Sequence, residues 1–332
     1  MAASLIVPTS PVTERIRAYF APVRRTTAGV AVPTLWDPAG IAGFQCDAPP
    51  APWLDLGWCG GFTRHSGSKL EALVAGAPGT ASGQVRTLVD ATVSLHFETW
   101  GKLQLALTAG VQQMNVLPAQ AGAAANGSGG AAMGTVPLTV TNGVLPSTTT
   151  ASALTVSSAA AAFSVGQLVV VDLDYTGQTG FVGAGLSGGY VKSAALIGAD
   201  IDYVRRVSLN VARVVTITGG VLGLAPALPA GVPVAGMQVS PVVGFCDREG
   251  GSFLQEWSAL FVAEGTQGDR VVFHYPRLQA MAGAAETSDR VAPGLERMRL
   301  SGSFRALPVT DTNDGEKIVC FRSYLPAAFR AI

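Results

Sequence analysis

Charge is absent from long stretches of this chain, and that distribution constrains its organisation more than any motif. From Leu103 to Val171 there is no Asp, Glu, Lys or Arg, and a second uncharged run covers Val214 to Cys246. A modest charged patch, Asp172 to Arg213, separates the two runs, and the flanks Met1–Lys102 and Asp247–Ile332 hold nearly all the remaining charge. A segment so unlike both flanks reads as a unit inserted into a discontinuous domain. The expected core domain is 1–116 with 246–332, and the expected insert is 117–245. The insert opens on an Ala/Gly linker, 119–134, whose side chains are too small and whose backbone is too flexible to pack.

Strand signals dominate both parts. In the insert, Val136–Thr141, Ser152–Ser158, Gln167–Asp172, Val204–Thr218 and Val232–Val239 read as short strands, and Asn142-Gly143 and Gly219-Gly220 supply turns with positive φ. A small barrel or sandwich follows. In the flanks, Thr87–Phe97 alternates polar and apolar residues at the period of a half-buried strand. Glu98–Gly110 then reads as a helix with Trp100, Leu103 and Leu107 on one face and Gly110 at the C-cap. Phe253–Val262, Arg270–Leu278, Met298–Leu307 and Lys317–Tyr324 read as further strands, with Asp314-Gly315 as a hairpin turn. The expected class is mainly β: an antiparallel sandwich or barrel with one short helix, plus a small inserted β-domain.

Composition narrows the function. Hydrophobic residues make up 48% of the 332-residue chain and charged residues only 13%, about half the usual share, so much of its surface is expected to be covered by other protein. Lys+Arg and Asp+Glu balance at 22 each, which leaves no global positive field to hold nucleic acid. Cys46, Cys59, Cys246 and Cys320 stand far apart, with neither a zinc-ligand spacing nor a disulfide framework, and read as reduced core residues. Pro8 and Pro11 interrupt the run a secretory signal would need, and no stretch of 18 apolar residues lacks Gly, Pro or polar breaks, so no membrane span is expected.

Sites are scarce. Gly183, Gly185 and Gly188 spell G-x-G-x-x-G, with Asp202 downstream, but the preceding strand and following helix that a dinucleotide needs are missing, and a loop explains them better. His96 and Glu98 form an H-x-E pair with no CxxC to complete a zinc site. His65 and His274 are isolated. Asp311, Asn313, Asp314 and Glu316 resemble the start of a calcium loop but lack its twelfth-position Glu, and read as a hairpin turn. No residue is assigned to catalysis, a cofactor or a metal. Arg15, Arg17, Arg24 and Arg25, interleaved with Tyr19 and Phe20, read as an extended arm docking on a neighbouring subunit.

Three stretches resemble the tail tube (major tail) protein family of long-tailed bacteriophages. They are TLWDPAGIAGFQCDAPPAPWLDLGWCGGFTRHSGSKLEAL, VRTLVDATVSLHFETWGKLQLALTAG, and DRVVFHYPRLQAMAG followed by LERMRLSGSFRALPVTDTNDGEKIVCF. The last contains a "Y/F-P-x" strand at His274-Tyr275-Pro276-Arg277 and a strand reading "fRAl" at Phe304-Arg305-Ala306-Leu307. The resemblance covers roughly 60% of the chain. It implies a subunit of hexameric rings that stack into the virion's tail tube, assembled in the host cytoplasm, through which double-stranded DNA passes. Implied partners are copies of the chain itself and other tail proteins, including the tape measure and terminator. The insert is expected to project outward and to contact the host surface, a glycan or adjacent rings.

Two other readings stand beside this one. A virion decoration, fibre or adhesion protein could carry a carbohydrate-binding β-domain, although the repeats of a trimeric fibre are missing. A β-rich enzyme would need two carboxylates facing one cleft, and Glu256, Glu264 and Asp269 are the candidate acids.

Overall fold

A computed structural model of the chain describes residues 13–26, 28–47, 49–110, 114–118, 134–172, 181–182, 210–246, 255–266, 268–281 and 285–326. The fold is mainly β, with a large antiparallel sheet. The chain divides into two compact units, one of Met1–Val23, Val32–Gly110 and Leu254–Ile332, the other of Arg24–Ala31 and Val111–Phe253.

The first unit is built on strands β1 (Thr13–Pro22), β2 (Leu54–Ala75), β3 (Thr80–Phe97), β4 (Glu256–Gly265), β5 (Arg270–Ala280), β6 (Ala285–Ala292), β7 (Leu295–Ala306) and β8 (Phe321–Leu325). They hydrogen-bond in the order β6-β7-β3-β2-β1-β4-β5-β8. A further antiparallel pairing, Leu278↔Ala306, Gln279↔Arg305 and Ala280↔Phe304, joins β5 to β7. The strands β7-β3-β2-β1-β4-β5 therefore close into a ring, which removes the exposed edges that invite aggregation.

Aromatic side chains fill this ring. Phe20 on β1 lies 5.7 Å from Phe304 on β7, and Phe62 on β2 lies 5.5 Å from Phe273 on β5. Each pair joins strands on opposite sides of the ring, so both contacts cross its interior. Phe261 connects the pairs, at 5.8 Å from Phe20 and 5.1 Å from Phe62. The barrel is thus a packed core with no pore. On β3, Ala91, Val93, Leu95 and Phe97 face inward and are buried, as the alternation predicts. On the outer side of β1, β4 and β5, a second layer gathers Tyr19, Leu260, Val262 and Val272 against Phe44 and Trp53. That layer explains why β1 is buried on both faces from Ala18 to Pro22 and shows no alternation.

One helix, α1 (Lys102–Ala109), packs on β7 and β5. It ends as expected, with Gly110 at φ 63°, left-handed, its N–H donating to the Ala106 carbonyl. Its start differs from the sequence expectation. Trp100 lies outside the helix, and its indole N–H donates to the Met298 carbonyl at 3.0 Å, which holds this turn in an extended form until Gly101.

The second unit contains a sheet in the order Val136–Pro137, Gln238–Pro241, Leu168–Asp172, Val211–Thr218, Val221–Ala225, Ala153–Thr155. Leu154, Val169, Val171, Ala212, Val214, Leu222 and Val239 form its own buried core. Asn142-Gly143 and Gly219-Gly220 make the expected turns, with φ of 52° and 77° and of 58° and 80°. The segment expected as a strand from Ser152 to Ser158 is shorter, because a 3-10 helix, Ser157–Ala162, interrupts it. A separate small sheet orders Phe181–Val182, Met114–Leu117 and Gly244–Cys246. The glycines at 183–188, Asp202 and nearly all of the Ala/Gly linker lie outside the described residues.

Phe20 contacts both halves of the ring, so Phe20→Ala is expected to cost about 3–5 kcal/mol of stability, read by urea unfolding. A loss under about 1 kcal/mol would mean the cross-barrel contact is not what holds the ring.

Candidate assembly surface

β2 and β3 are far longer than the barrel they help to close. β2 pairs with β1 only from Leu54 to Cys59, and β3 pairs with β7 only from Thr92 to Phe97. Beyond these points the two strands pair only with each other, from Ser66–Ala75 against Thr80–Ala91. This two-stranded ribbon extends about 33 Å at 3.3 Å per residue. Ala77, Pro78 and Gly79 turn the chain at its tip. Two glycines let it leave the barrel: a Cβ on Gly60 would sit 2.3 Å from His96 Nε2, and Gly61 at φ 59° bulges the strand past the same ring. The bulge sets two residues of β2, Gly61 and Phe62, opposite one residue of β3, Leu95.

The side chains of the ribbon are unusual for an exposed structure. Register pairs Ser68 with Val89, Leu70 with Arg86, Ala72 with Gln84 and Val74 with Ala81 on one face. That face continues directly from the buried Ala91 and Val93 of the barrel interior. Leu70 is 50% and Val74 64% exposed. The opposite face carries Leu73, Val85 and Leu88 beside a Lys69–Glu71 ion pair at 2.9 Å. An isolated two-stranded ribbon is marginal in water, and this one keeps a core-like pattern where its own chain supplies no core. Among the described residues, no strand pairs with its outer edges.

The ribbon made by β6 and β7 is built differently. Glu286, Asp289, Arg290, Glu296, Arg297 and Arg299 lie along it, and Arg299 pairs with Asp289 at 2.5 Å. Alternating charge on an edge strand disfavours further strand addition. This ribbon also exposes Val291, Leu295 and Met298, so the two differ in density of charge, and the longer, less charged β2–β3 ribbon is the better candidate for a covered surface.

The expected docking arm takes a different form. Tyr19 and Phe20 are fully buried in central strand β1, on opposite faces: Phe20 inside the barrel, and Tyr19 in the outer layer with its hydroxyl donating to the Cys46 carbonyl at 2.9 Å. They therefore belong to this chain's own core and are not on an arm. Arg17 is held by Asp55 through two hydrogen bonds and by Asp47 at 2.5 Å, and the Asp55 bonds raise its pKa. Arg15 lies 4.3 Å over the Trp58 ring. Arg24 and Arg25 are exposed, and Arg25 donates to the Gly29 carbonyl at 3.1 Å. Arg15, Arg17 and Tyr19 share one face of β1, opposite Phe20, so the basic residues lie on its outer side. The signal that marks the exposed ribbon is AGAPGT at 75–80, a turn sequence between two alternating runs.

Glu256 lies far from the other two candidate acids. Glu256 and Glu264 stand on one strand about 27 Å apart, beyond the 5–9.5 Å of paired glycosidase carboxylates. Glu256 pairs with Arg277 at 2.9 Å, Glu264 with Arg270 at 3.6 Å, and Asp269 accepts from the Tyr324 hydroxyl at 3.3 Å. The Asp311–Glu316 segment is a hairpin turn in which Asp311 and Asp314 carboxylates accept the N–H groups of Asn313 and Glu316, both at 2.9 Å. Among the described residues, no group of three His, Cys, Asp or Glu side chains is placed to hold a metal ion. Cys46, Cys59 and Cys320 are free thiols. No helix among the described residues is long and apolar enough to cross a membrane. No family model matches the chain, and no curated protein matches it.

His274 is the one strongly perturbed histidine. Burial, opposed by a contact to the Thr34 carbonyl, lowers its pKa from 6.5 to about 4. Asp37, Asp311 and Arg322 line the cavity beside it. The unfolded chain binds a proton below pH 6.5 and the folded chain only near pH 4. Stability is therefore complete above pH 6.5 and falls by up to about 3 kcal/mol on acidification to pH 4. His274→Phe retains the neighbouring carboxylates and is expected to show a flatter loss between pH 7 and pH 4 in urea unfolding. Equal slopes in the two proteins would mean that folded His274 protonates normally.

Proposed function

We propose that this chain is a structural subunit that assembles with copies of itself through the β2–β3 ribbon, and that it is a tail tube subunit of a long-tailed bacteriophage or phage-like particle. The observation that carries the reading is the face of Val89, Leu70, Ala72, Val74 and Ala81, which, interrupted by Ser68, Arg86 and Gln84, prolongs the barrel's inward face beyond the barrel. Covering it with a second copy buries apolar area, at roughly 25 cal/mol per Å², and also satisfies two open strand edges.

The finer identity rests on the resemblance of the flanking segments together with a closed β-fold bearing one short helix. Since Phe20, Phe62, Phe261 and Phe304 fill the chain's own barrel, a DNA conduit would be enclosed by several copies rather than by one. Rings of such subunits give that geometry. Balanced charge suits a passage along which DNA slides without being held. The virion setting, the tape measure and terminator partners, and the outward insert follow from the same reading.

The test is light scattering and negative-stain electron microscopy of the purified full chain over a range of concentrations. Rings or tubes with a central channel are expected. Leu70→Asp with Val74→Asp should leave the melting temperature unchanged, since both side chains are already exposed, while holding the protein monomeric. A wild-type protein that stays monomeric at every concentration, or a double variant that assembles as before, would overturn the proposal.

A further inference from the structure

His274 sits on β5 with strand partners on both sides, Leu260 on β4 and Phe321 on β8. Its ring belongs to the outer layer and is 1% exposed. Phe321 stacks on it at 5.6 Å and 25°, and Trp53 meets it edge-on at 6.1 Å. Residues 33–38 lie on the same layer, yet no strand pairs with 33–37 among the described residues. The Thr34 N–H donates to the Ser258 hydroxyl at 2.8 Å, the Thr34 carbonyl lies 3.4 Å from His274 Nε2, and Trp36 packs against the buried cluster of Tyr19, Leu260 and Val272. Leu35, Trp36, Asp37 and Pro38 also border a cavity of about 540 Å³. Further along, the chain is pinned again, at Cys46 by the Tyr19 hydroxyl and at Asp47 by Arg17.

The Thr34 carbonyl can only accept, so Nε2 carries the proton of the neutral ring, and Nδ1 is where a second proton must bind. Nδ1 is buried and has no hydrogen-bond partner among the described residues. An imidazolium in this place would aim an N–H at neither an acceptor nor water, and a buried charge costs more than a buried lone pair. Burial outweighs the charges nearby. Asp37, Asp311 and Arg322 line the adjoining cavity from the covering segment, the hairpin and β8. On β4 and β5, Glu256 and Glu264 pair with Arg277 and Arg270, and Asp47 and Asp55 pair with Arg17.

A charged His274 can regain water by parting β5 from its neighbours or by lifting 33–38. The first route breaks ladders on both edges of a central strand. The second gives up the Ser258 hydrogen bond and the Thr34 contact, and it frees Trp36, whose buried indole Nε1 has no partner among the described residues. Weakly held segments open before laddered ones. We propose that residues 33–38 form an acid-released strap: protonation of His274 lifts them from the sheet while the barrel stays closed, and the apolar outer layer is uncovered. The open form takes up the proton near the ordinary imidazole value of 6.5 and the closed form only near 4, so opening gains as pH falls below 6.5. Between pH 7 and pH 5 the open fraction rises about 20-fold. The strap belongs to the barrel unit and acts whether or not the chain assembles.

The experiment is hydrogen exchange of the full chain at pH 7 and pH 5, corrected for the intrinsic pH dependence of exchange and read by mass spectrometry on peptides covering 33–38 and 256–265. Asp37→Asn removes the strap's own carboxylate, an exposed one, and His274→Phe removes the titrating ring nitrogen. Opening of 33–38 is expected to rise about 20-fold in the wild type and in Asp37→Asn, to stay flat in His274→Phe, and to leave 256–265 protected throughout. Equal protection of 33–38 at the two pH values would overturn the proposal, as would loss of protection in 256–265 alongside it or the same rise in His274→Phe. Should His274→Phe not fold, NMR titration of the His274 ring in the wild type decides: a midpoint well below 6.5 supports the strap, and one at 6.5 leaves nothing to drive it.

Discussion

Phe20 reaches Phe304 across the barrel, and the geometry of the first unit depends on that crossing. The hydrogen-bonded seam between β5 and β7 spans only three residue pairs, too few to close a sheet by themselves. Aromatic rings that meet across the interior supply the rest. Once the ring is closed at this size, its height is set by the short shared segments, Leu54–Cys59 on β2 and Thr92–Phe97 on β3. Any strand longer than those segments must leave the barrel as a ribbon.

The two overrunning ribbons meet this consequence differently. The β6–β7 ribbon is dense in charge around its exposed Val291, Leu295 and Met298. The β2–β3 ribbon keeps leucine and valine on both faces. The sparser charge on this longer ribbon favours another protein surface as its native environment, and low charge across the whole chain is consistent with extensive coverage of that kind.

Much of the fold was legible in the sequence where a segment has one buried face. The alternation of β3 from Ala91 to Phe97, the left-handed Gly110 and the Asn142-Gly143 turn each follow from local chemistry. Legibility failed where burial is two-sided. β1 lies between the aromatic interior and the outer layer, so Ala18–Pro22 loses its alternation, and its arginines suggested an arm although Arg17 is fixed by Asp55 and Asp47. The ribbon was hidden for the reverse reason: its apolar pattern reads as a strand of the core, and only the closure of the ring at Thr92 reveals that no core lies opposite it. The cavity could not be read at all, because Leu35–Pro38, His274 and Val309–Asn313, which line it, are far apart in the sequence and are brought together by tertiary packing.

The sheet also separates the ribbon's apolar face from the outer layer of the first unit. The apolar face of the ribbon continues the face of Ala91 and Val93, which is the barrel interior. His274 belongs to the other face of the sheet, with Val272 and Trp53. Side chains alternate strictly along a strand, so a partner seated against the first face does not compete for the side chains of the second. A chain organised in this way can have the ribbon's apolar face covered without disturbing the layer of Tyr19, Val262 and Val272 on the other face.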